Sequence, residues 1–158
     1  MAAETKRERI GARIRSFRES DIEAVTAILR EAPEATNWTE ESYRETLNWP
    51  SLVAFVSEDD GGIAGFLIGR RVTDEAEILN LAVVPTGRRR GKGSALLEAA
   101  LEEFRTHGVS RVFLEVRESN ETGMGFYEKH GFFKTGRRAG YYREPDEAAI
   151  VMEMKLAG

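Results

Sequence analysis

The chain of 158 residues contains no cysteine. A disulfide framework, a thiolate nucleophile and a zinc–thiolate site are therefore excluded. Histidine is scarce, with two residues, and no cluster has the spacing of metal ligands, so we expect no bound metal. Long apolar runs are also missing, and the charged first ten residues lack the apolar stretch of a signal peptide. We therefore expect a cytoplasmic protein with no membrane partner.

Charge of one sign does not dominate the chain. The formal net charge is −4, which gives no overall positive field for binding nucleic acid. Hydrophobic residues make up 41% and charged residues 32%, the balance of an ordinary globular domain. We expect a flexible tail over residues 1–10 and a single domain over residues 11–158. Nothing in the sequence indicates the oligomeric state.

Polarity patterns predict an α/β (α+β) fold. Alternating or apolar segments predict seven strands at 12–17, 52–56, 63–72, 76–84, 111–116, 132–142 and 148–155. Apolar spacing of 3.6 predicts four helices, at 20–32, 39–47, 93–108 and 120–130. Ser20 and Glu23 have the spacing of a capping box at the start of the first helix. The order strand, helix, strand over 76–116 predicts one parallel crossover in a mixed, mostly antiparallel sheet.

A basic, glycine-rich segment lies between a predicted strand and a predicted helix. Backbone N–H groups in the first turn of a helix have no intrahelical partners, and glycines let a phosphate approach them closely. Flanking basic side chains add charge-assisted donors. The segment predicts an anion site formed by Arg88, Arg89, Arg90, Gly91, Lys92, Gly93 and Ser94.

Two common phosphate loops do not match this segment. A Walker A loop has four residues between its glycines, whereas Gly87 and Gly91 enclose three. It also has serine or threonine after the lysine, where this chain has Gly93. A dinucleotide fingerprint would have a third glycine at the position of Leu96 and would follow a first strand.

The pattern Arg/Gln-x-x-Gly-x-Gly/Ala does match, at Arg88, Gly91 and Gly93. It resembles motif A of the GNAT acetyltransferase superfamily, whose members bind acetyl-CoA. The alternative for this motif alone is a solvated basic turn with a glycine hinge.

A second pair of segments strengthens the resemblance. Phe113–Asn120 and Gly125–Phe132 are similar to the motif B half of the same superfamily, and more narrowly to RimI-type ribosomal-protein alanine N-acetyltransferases. The segments 79–83, 141–142 and 149–154 are similar as well. The resemblance follows the element order over residues 12–156 and is sharp over 78–154. The chain departs from the family in having Gly123 and Gly125 in its last helix, where glycine is unfavourable.

The resemblance implies a GNAT-like fold and assigns residues to a coenzyme A site and an acceptor site. Asn120 would bond the pantetheine arm in addition to capping its helix. The backbone groups of Leu81, Ala82 and Val83, which lie on a predicted strand, would pair with the same arm. Acceptor-binding candidates are Glu77, Asn80, Tyr141 and Tyr142.

Two residues are candidates for proton transfer. Glu115 lies near the end of a predicted central strand, and the matching glutamate is the proposed base in RimI-like enzymes. Its alternative is a surface ion pair with Arg117. Tyr127 matches the tyrosine that serves the family as general acid, and its alternative is a packed helix aromatic. Glu77 is the reserve candidate for the base.

The resemblance therefore predicts an enzyme that transfers an acetyl group directly from acetyl-CoA to a primary amine. An N-terminal α-amine, with a reference pKa of about 8, is easier to keep neutral than a lysine amine at about 10.4. The expected acceptor is the N-terminal amine of a protein of the ribosomal alanine type. A small amine or a lysine side chain, and a coenzyme-A-binding regulatory module without turnover, remain as alternatives.

Overall fold

A computed structural model describes residues 13–31, 38–84, 91–143 and 146–156. Within these ranges the chain forms seven strands: β1 (Arg13–Ser16), β2 (Leu52–Asp59), β3 (Gly62–Val72), β4 (Glu75–Val83), β5 (Arg111–Arg117), β6 (Phe133–Tyr142) and β7 (Glu147–Lys155). The same ranges contain four α-helices: α1 (Ile22–Arg30), α2 (Glu40–Thr46), α3 (Lys92–Thr106) and α4 (Glu121–Lys129). The tail expected over residues 1–10 lies outside the described residues.

The seven strands form one sheet in the order β1-β2-β3-β4-β5-β7-β6. β4 and β5 are parallel and are joined by α3, whereas the other neighbouring strands are antiparallel. The predicted mixed sheet with one parallel crossover is therefore confirmed. The last two strands, β6 and β7, form an antiparallel hairpin. Its second strand, β7, pairs with β5, and its first strand, β6, lies at the edge of the sheet.

Two apolar clusters cover the two faces of the sheet. On one face, α3 buries a stripe at Leu96, Leu97, Ala100, Leu101 and Phe104 against strand residues such as Leu67. Full burial of each large apolar side chain contributes about 1.5–3 kcal/mol. On the other face, α1 and α2 pack over β2, β3 and β4, with Tyr43 and Phe66 fully buried. Among the described residues, the cluster on this second face contains none from β5, β7 or β6, so α1 and α2 leave that face of these strands uncovered.

The start of α1 differs from the prediction. Ser20 and Glu23 do not form a capping box, because a 3-10 turn over Glu19–Asp21 precedes the helix. Asp21 instead accepts a hydrogen bond from the backbone N–H of Arg18 at 2.8 Å and an ion pair from Arg15 at 2.8 Å. The threonine cap predicted for α2 is confirmed, since Thr39 Oγ1 accepts the N–H of Ser42 at 3.1 Å.

The parallel pairing of β4 and β5 covers only part of each strand. Their ladder runs from Glu75 and Arg111 to Ile78 and Leu114, after which β4 continues to Val83 and β5 to Arg117. A bulge in β4 lies at the same point, because Ile68 of β3 pairs with Asn80 and the next residue pairs with Ile78. The two strands have no paired residues beyond this ladder, which leaves a gap between their ends.

In the described part of the chain, no helix has the length and apolar character needed to cross a membrane.

Candidate active site

A cleft of about 940 Å³ fills the gap between β4 and β5. The ends of β4 and β5 form its floor, and the first turns of α3 and α4 form its rim. Its size is within the range of pockets that bind small molecules and cofactors. The lining includes eleven of the site residues expected from the sequence: Asn80, Leu81, Ala82, Val83, Gly91, Gly93, Ser94, Glu115, Asn120, Tyr127 and Tyr142.

The first turn of α3 borders one end of the cleft. Gly91 is the N-cap and has φ of +72° and ψ of 15°, a left-handed conformation that favours glycine. Gly93 and Ser94 follow in the first turn and line the cleft. The unpaired N–H groups of a first helical turn attract anions, so this rim suits a phosphate. Arg88, Arg89 and Arg90, the other members of the expected anion site, lie outside the described residues.

Lys92 is placed differently from the expectation for an anion-binding side chain. Its ammonium group is buried and lies 2.5 Å from the carboxylate of Asp59 at the end of β2. Among the described residues, Lys92 does not belong to the cleft lining. The charge of this lysine therefore anchors the start of α3 to the sheet and is not directed at a ligand in the cleft.

The end of β4 forms one wall of the cleft. Leu81, Ala82 and Val83 are the last residues of this strand, and all line the cleft. Asn80 is buried next to them and donates a hydrogen bond to the hydroxyl of Tyr43 at 3.3 Å. Asn80 therefore connects the cleft wall to the aromatic core beneath α2.

Asn120 caps α4 as expected. Its Oδ1 atom accepts the backbone N–H of Gly123 at 2.8 Å. A Cβ atom on Gly123 would lie 2.5 Å from Nδ2 and 2.8 Å from Cγ of Asn120. The folded-back cap thus leaves no room for a side chain at Gly123, which explains one of the two unusual glycines. A Cβ atom on Gly125 would meet nothing within 4 Å, and nothing in the structure explains that residue.

Glu115 lies on β5 and lines the cleft with its side chain 16% exposed. Both carboxylate oxygens accept hydrogen bonds from Nη1 of Arg138, at 3.1 and 3.3 Å. The guanidinium of Arg138 in turn lies 4.4 Å from the ring centre of Tyr141. Burial raises the pKa of Tyr141, and the negative charge of Glu115 raises it further. The carboxylate of Glu115 is therefore hydrogen-bonded to a residue of β6.

Arg117, the alternative partner expected for Glu115, forms an ion pair with Glu147 at 3.3 Å. Glu147 also accepts the backbone N–H of Ser119. Hydrogen bonds from the side chain and the backbone of Ser119, and from Arg117, lower the pKa of Glu147. The guanidinium of Arg117 lies 4.5 Å from the ring centre of Tyr142. These contacts tie the turn before α4 to the start of β7.

Tyr127 lies on α4 and forms part of the cleft wall. Its ring packs edge-on against Phe126 and Phe132, with ring centres 5.2 and 5.5 Å apart. Burial raises the pKa of Tyr127 above its usual range, and the nearby Tyr142 raises it further. The hydroxyl therefore stays protonated at neutral pH and is available as a donor.

Tyr142 interacts electrostatically with both proton-transfer candidates. Burial raises its pKa to about 12, and the charge of Glu115 adds to that shift. Tyr142 also contributes to the raised pKa of Tyr127. Glu115, Tyr127 and Tyr142 all line the same cleft.

Two acceptor candidates lie outside the cleft lining of the described residues. Glu77 forms an ion pair with Arg70 at 3.4 Å on the sheet face opposite α3. Tyr141 is 43% exposed beside Arg138. Both therefore lie on the surface of the sheet, outside the cleft.

The residues fit coenzyme A in their chemistry. An anion-binding helix start lies at one end of the cleft, and a strand end that offers backbone groups follows it. Apolar walls at Leu81, Val83 and Phe126 suit a flexible aliphatic arm. Within the described ranges, no group of three histidine, aspartate or glutamate side chains is placed to hold a metal ion.

Sequence reasoning missed several residues of the site. Arg138 and Glu147 act across strands whose order was not readable from the chain, so no local signal marked them. Phe126 was visible as part of a motif, but its position in the cleft wall was not expected. His130 forms a hydrogen bond with Ser94 at 2.9 Å, although the two residues are 36 positions apart.

Comparisons with a family model and with a named relative agree that the chain resembles acetyltransferases. The model of the acetyltransferase (GNAT) family matches residues 22–132. The ribosomal protein bS18-alanine N-acetyltransferase of Escherichia coli (strain K12) is 34% identical over 146 residues, which cover 91% of this chain and 97% of that protein.

Two solved structures have the same fold. The crystal structure of the ribosomal-protein-S18-alanine N-acetyltransferase from Escherichia coli superimposes with a TM-score of 0.79 and 32% identity, over 93% of this chain and 96% of that one. Ard1 from Thermoplasma volcanium superimposes with a TM-score of 0.86 and 32% identity, over 94% and 99% of the two chains.

Proposed function

Because the chain belongs to the acetyltransferase (GNAT) family and is an acetyl-CoA-dependent N-acetyltransferase, we propose that it acetylates the N-terminal α-amine of a ribosomal protein beginning with alanine. The Escherichia coli relative, which is named for this reaction, supports the choice of acceptor. Such an acceptor would place the reaction in the cytoplasm. The observation that carries the proposal is a single cleft with Glu115 and Tyr127 in its walls.

The cofactor would lie along the cleft from the start of α3 toward β5. Gly91, Gly93 and Ser94 would hold the pyrophosphate through first-turn N–H groups and the serine hydroxyl. The strand end at Leu81–Val83 and the side chain of Asn120 would hold the pantetheine arm. Bound acetyl-CoA supplies the activated acetyl group, and the protein supplies position and proton transfer.

Glu115 would remove the proton from the incoming ammonium group. It lines the cleft and lies on β5, whose second face α1 and α2 leave uncovered, so we expect the amine to approach the carboxylate from that face. An α-amine has a reference pKa of about 8 and needs only a modest base. Tyr141 and Tyr142 border the same face and would guide the acceptor backbone, with Glu77 and Asn80 as further contacts.

Tyr127 would donate a proton to the departing thiolate. Its raised pKa keeps the hydroxyl protonated over the physiological range. The packing of its ring against Phe126 and Phe132 fixes the direction of the hydroxyl. Direct transfer requires a positioned proton donor in the same cleft as the base, and Tyr127 and Glu115 both line this cleft.

Thiol release from acetyl-CoA tests the proposal. The purified protein is incubated with acetyl-CoA and short peptides that begin with alanine, serine or an acetylated alanine. We expect release with the alanine peptide and none with the blocked peptide. Release only with amino acids, polyamines or internal lysines would contradict the α-amine assignment, and tight acetyl-CoA binding without any release would contradict catalysis.

A further inference from the structure

A side-chain hydrogen bond joins two helices at the cofactor end of the cleft. Ser94 Oγ lies 2.9 Å from Nε2 of His130. Ser94 belongs to the first turn of α3, and His130 is the C-cap residue of α4. The bond therefore joins the two helices that form the rim of the cleft.

The imidazole ring of His130 is held in place by packing. Its centre lies 4.9 Å from that of Phe126, which is one turn earlier on α4. The Cζ atom of Phe126 lies 3.5 Å from the point where a Cβ on Gly93 would be. The ring, Phe126 and the start of α3 thus form one contiguous contact, and the orientation of Nε2 toward Ser94 is fixed by it.

The chemistry of a bound pyrophosphate selects one direction for this hydrogen bond. A pyrophosphate only accepts hydrogen bonds, so Ser94 can bind it only by donating its hydroxyl proton. Ser94 Oγ must then accept from His130, which requires a proton on Nε2. His130 would in this way direct the hydroxyl proton of Ser94 into the cleft.

We propose that His130 is a positioning residue of the cofactor site, which orients the Ser94 hydroxyl and fixes the start of α3 against the end of α4. Neither residue occupies a fixed position of the two motifs, since Ser94 follows the last glycine and His130 falls at an open position before Gly131. The inference rests on the cofactor site proposed above and does not depend on the acceptor.

Two substitutions of His130 form a matched pair. The amide nitrogen of glutamine takes the place of Nε2, whereas that of asparagine takes the place of Nδ1 and falls short of Ser94. We expect His130→Asn to raise the dissociation constant of coenzyme A roughly fivefold, the size of one hydrogen bond, and His130→Gln to stay within about twofold of wild type. Isothermal titration calorimetry with coenzyme A measures both, and dephospho-coenzyme A, which keeps the pyrophosphate, should show the same ratio.

A double-mutant cycle separates the proposed role from a general structural one. In a Ser94→Ala background, His130→Asn should change the dissociation constant no further, because the hydrogen bond is already absent. The melting temperature of each ligand-free variant is recorded alongside. Equal affinities of the asparagine and glutamine variants, or an undiminished effect of His130→Asn without Ser94, would overturn the inference.

A control variant distinguishes failure of this inference from failure of the cofactor site. Gly93→Leu places a large side chain in the cleft beside Phe126. If Gly93→Leu leaves coenzyme A binding unchanged, the proposed cofactor site is wrong. If Gly93→Leu weakens binding and the two His130 variants do not differ, only the role of His130 is wrong.

Discussion

Arg138 holds Glu115 through a single nitrogen atom, with Nη1 3.1 Å from one carboxylate oxygen and 3.3 Å from the other. The guanidinium is 57% exposed, whereas the carboxylate is 16% exposed. The cation is therefore the more exposed partner of this ion pair. An incoming ammonium group carries the same charge as the guanidinium and would compete with it for the carboxylate.

The ion pair can be broken from either side, and the two changes should differ in their effect. Glu115→Gln removes the proposed base, and we expect kcat to fall about 100-fold while the dissociation constant of acetyl-CoA stays nearly unchanged. Arg138→Met breaks the same pair but keeps the carboxylate, so it should cost far less in kcat. Steady-state kinetics with an alanine peptide measure both, and equal losses would show that Glu115 acts through the ion pair.

The reserve base is tested by Glu77→Gln. Glu77 pairs with Arg70 and does not line the described part of the cleft, so its removal should lower kcat by less than about threefold. A loss comparable to that of Glu115→Gln would instead favour Glu77 as the base.

Tyr127→Phe removes one hydroxyl and keeps the ring packing. If the hydroxyl protonates the thiolate, kcat should fall roughly tenfold or more, with the acetyl-CoA dissociation constant nearly unchanged. Because the pKa of Tyr127 is raised, its ionisation should not limit wild-type kcat below about pH 10. Stopped-flow turnover across pH 6–10 checks both points, and wild-type turnover in the variant would remove Tyr127 from the mechanism.

The sequence was sufficient for the elements and for the single parallel crossover of the sheet, but not for the order of its strands. Alternating polarity located strands such as β3 and β5, and the crossover through α3 required β4 and β5 to be parallel. The cleft follows from this, because a helix that starts between two parallel strands opens a gap at their carboxyl ends.

The sequence did not predict the side-chain partners that depend on the order of the strands or on packing. Arg138 meets Glu115 only because β7 inserts between β5 and β6. Lys92 appeared among phosphate-binding residues, but the end of β2 brings Asp59 to its ammonium group. Ser20 was predicted to cap α1, but Asp21 occupies the turn before the helix, where its carboxylate is held by Arg15 of β1. The hydrophobic periodicity of the sequence does not reveal this contact between distant residues.

Lys92→Met tests whether the lysine serves the fold or the ligand. The ammonium group is buried against Asp59, whose side chain is partly exposed, so we expect the free energy of unfolding to fall by about 2 kcal/mol. The dissociation constant of acetyl-CoA should change less than about twofold at temperatures where the variant is folded. Urea unfolding and calorimetry measure the two quantities. Weaker binding without loss of stability would return Lys92 to the phosphate site.

The pair of Arg15 and Asp21 should make stability depend on acid pH. Burial tends to raise the pKa of Asp21, but hydrogen bonds from Arg15 and from the backbone of Arg18 outweigh it and lower the pKa. A carboxyl group with a lower pKa in the folded state stabilises the protein fully above its unfolded value of about 3.9, and this contribution is lost as the pH falls through the folded value. Asp21→Asn removes the titrating group, so the variant should be less stable than wild type at pH 7 and the difference should shrink toward pH 3. Urea unfolding at intervals over that range measures the difference, and a gap that stays constant with pH would show that the ionised form of Asp21 contributes no stability.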